Sequence, residues 1–181
     1  RVACYYHDIG KTKRPQYYVE NQTDGKNLHN EVSPFMSKMI ILAHTKEGAE
    51  MAKKYKIPKE IRDIMYEHQG TTLLAYFYNK VKQENPNIPE EEFRYSGPKP
   101  QTKESAVIML ADSIEAAVRS LDVKDPVKVE EMVRRIVGAK INDNQLSDSN
   151  ITFKEVEIII NSFLKTFGAI YHERIKYPGQ K

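Results

Sequence analysis

The run His7-Asp8-Ile9-Gly10-Lys11 puts an imidazole, a carboxylate and a primary amine on one short piece of backbone. An adjacent His and Asp can reach the same divalent ion. Gly10 can take backbone angles closed to other residues, which lets Lys11 turn back toward that point. Alone, a His-Asp dipeptide is ordinary helix-end chemistry. His44, His68 and Asp112 change its weight, because each stands where a helix would carry it inward. Together the five side chains form an N/O donor set that suits iron, manganese or zinc. A carboxylate beside an imidazole can bridge two ions. Such ions, roughly 3.5–4 Å apart, can hold a hydroxide between them, grip a phosphate oxygen each and bring the pKa of bound water toward ~7. That is the chemistry of phosphate-ester hydrolysis.

Helices are the elements that must position these residues. Ser33-Pro34 reads as an N-cap followed by proline at the first helical position. The helix it opens runs through Met36, Met39, Ile40 and Ala43, an apolar stripe expected in the core, and delivers His44 near its end. Thr45 is expected to cap a separate helix through Tyr55. Ile57-Pro58 opens another, in which Ile61, Ile64 and Met65 set a stripe that His68 continues, with Gly70 at the following turn. Thr71 to Lys82 reads as a short aromatic-rich helix. Ala106 to Leu121 is a strong helix carrying Asp112. Asp125-Pro126 caps the next, and Thr152-Phe153-Lys154-Glu155 is a capping box for a long final helix. With no alternating run long enough for a sheet, the expectation is an all-α single domain. The longest irregular stretch is about residues 85–101, a length that in compact domains usually carries function. There Arg94, Lys99 and Lys103 stand near stiffening prolines and could hold a phosphate, Arg by two parallel hydrogen bonds. Tyr76, Tyr78 and Tyr95 could stack on a base face. His29 reads as part of a structural polar loop, and His172 as non-catalytic.

Composition sets the outer bounds. The 181 residues, 40% hydrophobic and 29% charged, fit one soluble globular unit. A net charge of +3 with interspersed signs lacks the clustered basic face of a DNA or RNA duplex binder, but suits a small anionic ligand. Cys4 is the single cysteine, so no internal disulfide forms and a reducing compartment is expected. The chain opens on Arg1-Val2-Ala3 without Met, as if a helix were already under way, so an excerpt of a longer protein is expected.

Four segments carry a resemblance. Tyr5-Tyr6-His7-Asp8-Ile9-Gly10-Lys11-Thr12, Glu67-His68-Gln69-Gly70-Thr71-Thr72-Leu73, the stretch from Arg94 to Glu104 and Met109-Leu110-Ala111-Asp112-Ser113 resemble the HD superfamily of metal-dependent phosphohydrolases. Within it they are similar to the cytoplasmic HD domain of the PgpH-type seven-transmembrane HD receptors. The likeness runs to Tyr171-His172-Glu173-Arg174-Ile175-Lys176-Tyr177-Pro178. It implies a helical HD domain over residues 1–181, whose first helix and its metal-binding histidine lie ahead of Arg1. It implies hydrolysis of the cyclic dinucleotide cyclic di-AMP to linear 5'-pApA by a hydroxide bridging two divalent ions, iron or manganese. His7 and Asp8 match the metal pair, with Asp8 the bridge. His44 and His68 match ligands of the second ion, and Asp112 a ligand of the first. Lys11 matches a catalytic lysine at the phosphate or the departing 3'-oxygen. Substrate contacts are expected from Lys11, Gly70, Thr71, Thr72, Tyr76, Arg94, Tyr95, Lys99 and Lys103. Gln69, where some relatives place a histidine, is not expected to be a ligand. The resemblance also implies the cytoplasmic part of a membrane-anchored bacterial protein, with a homodimer among the assemblies it allows. Two other readings stay open: an HD hydrolase of a guanosine alarmone or deoxynucleoside triphosphate, and a nucleotide-sensing module without turnover.

Overall fold

The computed structural model describes residues 1–22, 26–122 and 125–171. His172 and the motif through Pro178 lie outside the described residues. Among the described residues seven α-helices follow in order: α1 (Val2–Tyr6), α2 (Pro34–Lys54), α3 (Lys59–Glu67), α4 (Ala75–Glu84), α5 (Lys103–Arg119), α6 (Pro126–Asn142) and α7 (Phe153–Tyr171). Short 3-10 turns fill much of the path from α1 to α2, and one more, Glu90–Phe93, interrupts the irregular stretch before α5. Among the described residues there is no strand, only an isolated antiparallel bridge between Leu73 and Arg94. None of the described helices is long and apolar enough to cross a membrane.

The helix starts follow the local chemistry. The Ser33 side chain accepts from the Met36 amide with Pro34 behind it, and Asp125 accepts from the amides of Val127 and Lys128. At α7 the box is reciprocal: Thr152 Oγ1 accepts from the Glu155 amide, and Glu155 accepts from the Thr152 amide. Each such cap stabilises its helix by about 1 kcal/mol.

Three expectations need correction. No break occurs at Thr45; α2 runs unbroken through it, with the buried Thr45 hydroxyl directed back at the Leu42 carbonyl rather than forward as a cap. The buried face of α2 is Ser37, Ile40, His44, Gly48 and Ala52, whereas Met36 and Met39 are exposed. The packing face is therefore set in register with His44, not with the methionines. The fourth helix starts at Ala75 instead of Thr71, because residues 72–74 pair in extended form with residues 93–95. The Leu74 amide donates to the Phe93 carbonyl, and the Tyr95 amide to the Thr72 carbonyl.

The main core joins α5, α6 and α7. Ala106, Met109, Leu110, Ile114 and Val118 line one face of α5 and meet Val129, Val133 and Val137 of α6 and Val156, Ile160 and Phe167 of α7. Burying one such larger side chain is worth ~1.5–3 kcal/mol, so this block anchors α5 firmly. A smaller cluster of Phe77, Tyr78, Val81 and Phe93 fixes α4 beneath the irregular segment. Between the two lie α1, α2, α3 and the inner face of α5, where the polar residues converge.

Candidate metal centre

Four separate segments deliver five side chains to one place. His7 terminates α1 and Asp8 follows it into a 3-10 turn. His44 comes from the middle of α2, His68 from the C-terminus of α3, and Asp112 from α5. The 3-10 turn lies directly on α2: a Cβ built on Gly10 would stand 1.9 Å from the His44 carbonyl oxygen and 2.7 Å from the Gly48 amide nitrogen. Only a glycine there lets Asp8 come this close to His44.

Asp8 Oδ1 lies 3.3 Å from His44 Nε2 and 3.6 Å from His68 Nε2. His7 Nε2 lies 3.4 Å from Asp8 Oδ2 and 3.6 Å from Asp112 Oδ1. The Nε2 atoms of His44 and His68 are 3.2 Å apart. All three rings are latched alike: Nδ1 of His7, His44 and His68 meets the carbonyl of Cys4, Ile41 and Met65, three residues back in each case, at 2.9, 2.6 and 2.8 Å. A latched neutral ring carries its proton on Nδ1 and turns the Nε2 lone pair inward, the arrangement that fixes the tautomer of metal-binding histidines.

That arrangement is self-repulsive without a cation. Two inward lone pairs face each other at 3.2 Å, and His7 Nε2 and Asp8 Oδ1 are buried with no hydrogen-bond partner. Buried polar atoms without partners are costly. A divalent ion satisfies them at once, so the residues fit the group. The ligand atoms form two overlapping sets, His7 with His68 and Asp112, and Asp8 with His44 and His68. His68 belongs to both, a sharing the sequence did not suggest.

The electrostatics agree with a cation site. Burial opposes ionisation of Asp8, but the imidazoles of His68 and His7 and the Lys11 ammonium outweigh it and hold the carboxyl well below the usual range. Asp112 is lowered too: burial works against it, and the neighbouring His7 and His68 imidazoles outweigh it. Burial, reinforced by neighbouring His68, pushes His44 down to about 4 and keeps it a neutral donor. His7 is the opposite case: burial is outweighed by the Asp112 and Asp8 carboxylates, and its pKa rises to about 10. In the absence of metal a proton on His7 partly neutralises the cluster.

The expected substrate residues divide. Lys11 Nζ sits 2.7 Å from Asp8 Oδ2, beside the candidate donors, and is shared with Glu20 at 2.8 Å and with the face of the Tyr18 ring. Gly70, Thr71 and Thr72 form the turn directly after His68, with Gly70 at a φ of +53°. Tyr76 is exposed. Lys99 touches Ser147 at 3.4 Å and lies on the irregular stretch. Arg94 is already spoken for: its guanidinium donates to Glu90, Asp143 and the Thr71 carbonyl, so it clamps the loop instead of waiting for a phosphate. Lys103 pairs with Glu155 and opens α5, roughly two and a half turns before Asp112. Tyr95 is buried with its ring packed against His44, and Tyr78 is buried beside Phe93, so neither offers a face to a base. His29 packs between the rings of Tyr17 and Phe77. Gln69 donates to Asp112 Oδ2 at 2.7 Å and orients it, a role sequence reasoning missed.

Residues 1–117 match the HD domain family. The chain is 52% identical over 178 residues to the cyclic-di-AMP phosphodiesterase PgpH of Bacillus subtilis (strain 168), an alignment covering 98% of this chain and 25% of that protein. It is 50% identical over 181 residues to the protein of the same name from Listeria monocytogenes, covering all of this chain and 25% of the relative. The chain thus spans about a quarter of the length of these curated relatives. The crystal structure of the L. monocytogenes PgpH HD domain in complex with cyclic di-AMP superposes with a TM-score of 0.93 at 49% identity, covering 98% of this chain and 82% of that one.

Proposed function

Because this chain belongs to the HD domain family, we propose that it is the catalytic domain of a metal-dependent phosphodiesterase that opens cyclic di-AMP to linear 5'-pApA. The observation that carries the reading is the convergence of three inward imidazole nitrogens and two carboxylates, with His7 Nε2 and Asp8 Oδ1 left without partners. The substrate follows from the relatives, two named cyclic-di-AMP phosphodiesterases and one crystallised with cyclic di-AMP.

His7, Asp8, His44, His68 and Asp112 would hold a pair of divalent ions; mixed imidazole and carboxylate donors suit iron, manganese or zinc, and the family resemblance implies iron or manganese. Bound there, the ions supply Lewis acidity and hydroxide at neutral pH. The chain's own residues do the rest. Asp8, placed between the two donor sets, keeps them together. Lys11, held beside Asp8 and steadied by Glu20, meets the charge developing on the departing 3'-oxygen. The Gly70–Thr72 turn, Tyr76 and Lys99 border the substrate. The parent protein is read as membrane-anchored, with this domain on its cytoplasmic side.

The test is incubation of the chain with cyclic di-AMP and Mn²⁺. Linear pApA should form, vanish with a chelator, and fall by orders of magnitude in Asp8→Ala while the helical circular-dichroism signal stays. Preferential hydrolysis of a guanosine alarmone or a deoxynucleoside triphosphate would replace the substrate but keep the chemistry. Ligand-raised melting without product would replace catalysis with sensing.

A further inference from the structure

Gln145 has no exposed surface and lies well beyond residue 117, where the family match ends. Its neighbours Asp143, Asn144 and Ser147 make it look like an ordinary loop residue. The structure uses its whole amide. Oε1 accepts from the Thr71 amide at 2.9 Å, and Nε2 donates to Thr71 Oγ1 at 2.9 Å and to the carbonyl and carboxylate oxygens of Asp143 at 3.1 and 3.0 Å. The fit is tight: a Cβ built on Gly70 would stand 2.4 Å from Gln145 Oε1.

The turn it grips is the one that serves the metal centre. His68, two residues before Gly70, supplies Nε2 to both donor sets. Gln69, between them, holds Asp112 Oδ2 at 2.7 Å. Two more side chains fix the same turn from outside: Lys140 donates to Thr72 Oγ1 at 2.8 Å and Arg94 to the Thr71 carbonyl at 2.9 Å. One ligand and the orienting group of another therefore ride on a five-residue segment fastened to the end of α6.

We propose that Gln145 is a positioning residue for the metal centre, acting through the Thr71 turn on His68 and, by way of Gln69, on Asp112. The inference rests on the metal-site reading above and deepens it. Ligand geometry, not ligand identity, is what Gln145 controls. A partner bonded directly to a ligand is worth about 10–100-fold in metal affinity; Gln145 acts one link further out, so a loss at the low end of that range, about 10-fold, is expected.

The test is Mn²⁺ calorimetry on the 181-residue chain, comparing wild type with Gln145→Met, which keeps volume and removes both amide functions. A second variant, Gln145→Asn, keeps a neutral amide too short to span to Thr71, and decides the matter if the first does not fold. A core variant, Val133→Ala, supplies a comparable melting loss at a distance from the turn. The expected result is weaker Mn²⁺ binding by about 10-fold in the Gln145 variants, unchanged binding in Val133→Ala, and recovery of cyclic-di-AMP turnover when Mn²⁺ is raised to saturation. Wild-type Mn²⁺ affinity in a folded Gln145 variant overturns the inference while leaving the metal centre standing. A wild-type chain that binds no Mn²⁺ overturns the metal centre and this inference together.

Discussion

At the scale of single residues, His68 is the hinge of the centre, because its Nε2 lies within reach of both donor sets while His7 and His44 each serve one. His68→Ala should therefore weaken Mn²⁺ binding at both positions, whereas His44→Ala should spare the set formed by His7, His68 and Asp112. Calorimetric stoichiometry and affinity separate the two outcomes. The five candidate donors could be picked out because imidazoles and carboxylates expected to be buried need a cation or a partner, and the structure brings them together. What was not legible was how far each cation was already committed. Arg94 meets Asp143 across 49 residues of chain and Lys103 meets Glu155 across 52, and no local pattern announces such partners. Gln145 escaped notice for the same reason, since its work is done on Thr71, 74 positions away.

At the scale of elements, the paired stretch 72–74 with 93–95 joins the entrance of α4 to the irregular segment, and Arg94 rivets it. Arg94→Ala should cost about 1.5 kcal/mol, the low end of the ~1.5–3 kcal/mol range for hydrogen bonds to charged groups, because Glu90 and Asp143 are partly exposed. If Arg94 is a clamp, denaturant titration shows that loss while KM for cyclic di-AMP stays unchanged; a rise in KM without loss of stability would return it to the substrate. Helix starts at Ser33, Asp125 and Thr152 could be read directly because capping is local chemistry. The unbroken α2 could not. A threonine that caps a helix and one buried inside it look identical in sequence, and here Thr45 is buried with its hydroxyl on the Leu42 carbonyl.

At the scale of the whole molecule, the α5–α6–α7 core is a fixed platform; α3, which ends at His68, packs on α5, and α1 and α2 pack on α3. The end of α6 reaches back to the turn after His68, so part of the chain beyond the matched family region supports the centre. The all-helical architecture was legible from periodicity; this back-reach was not, because it depends on tertiary packing alone. One geometric detail sets an order of events. Asp8 and Asp112 flank His7, so two carboxylates stand where the donor atoms converge, with only the His7 ring and the Lys11 ammonium to offset them. Divalent cations there supply the positive charge that a dianionic guest needs. Loading should therefore be sequential, metal first and dinucleotide second. Titrating cyclic di-AMP into chelator-stripped protein should give little heat, and the same titration after Mn²⁺ should give a saturable isotherm; equal binding in both would mean that the guest is held entirely outside this basin.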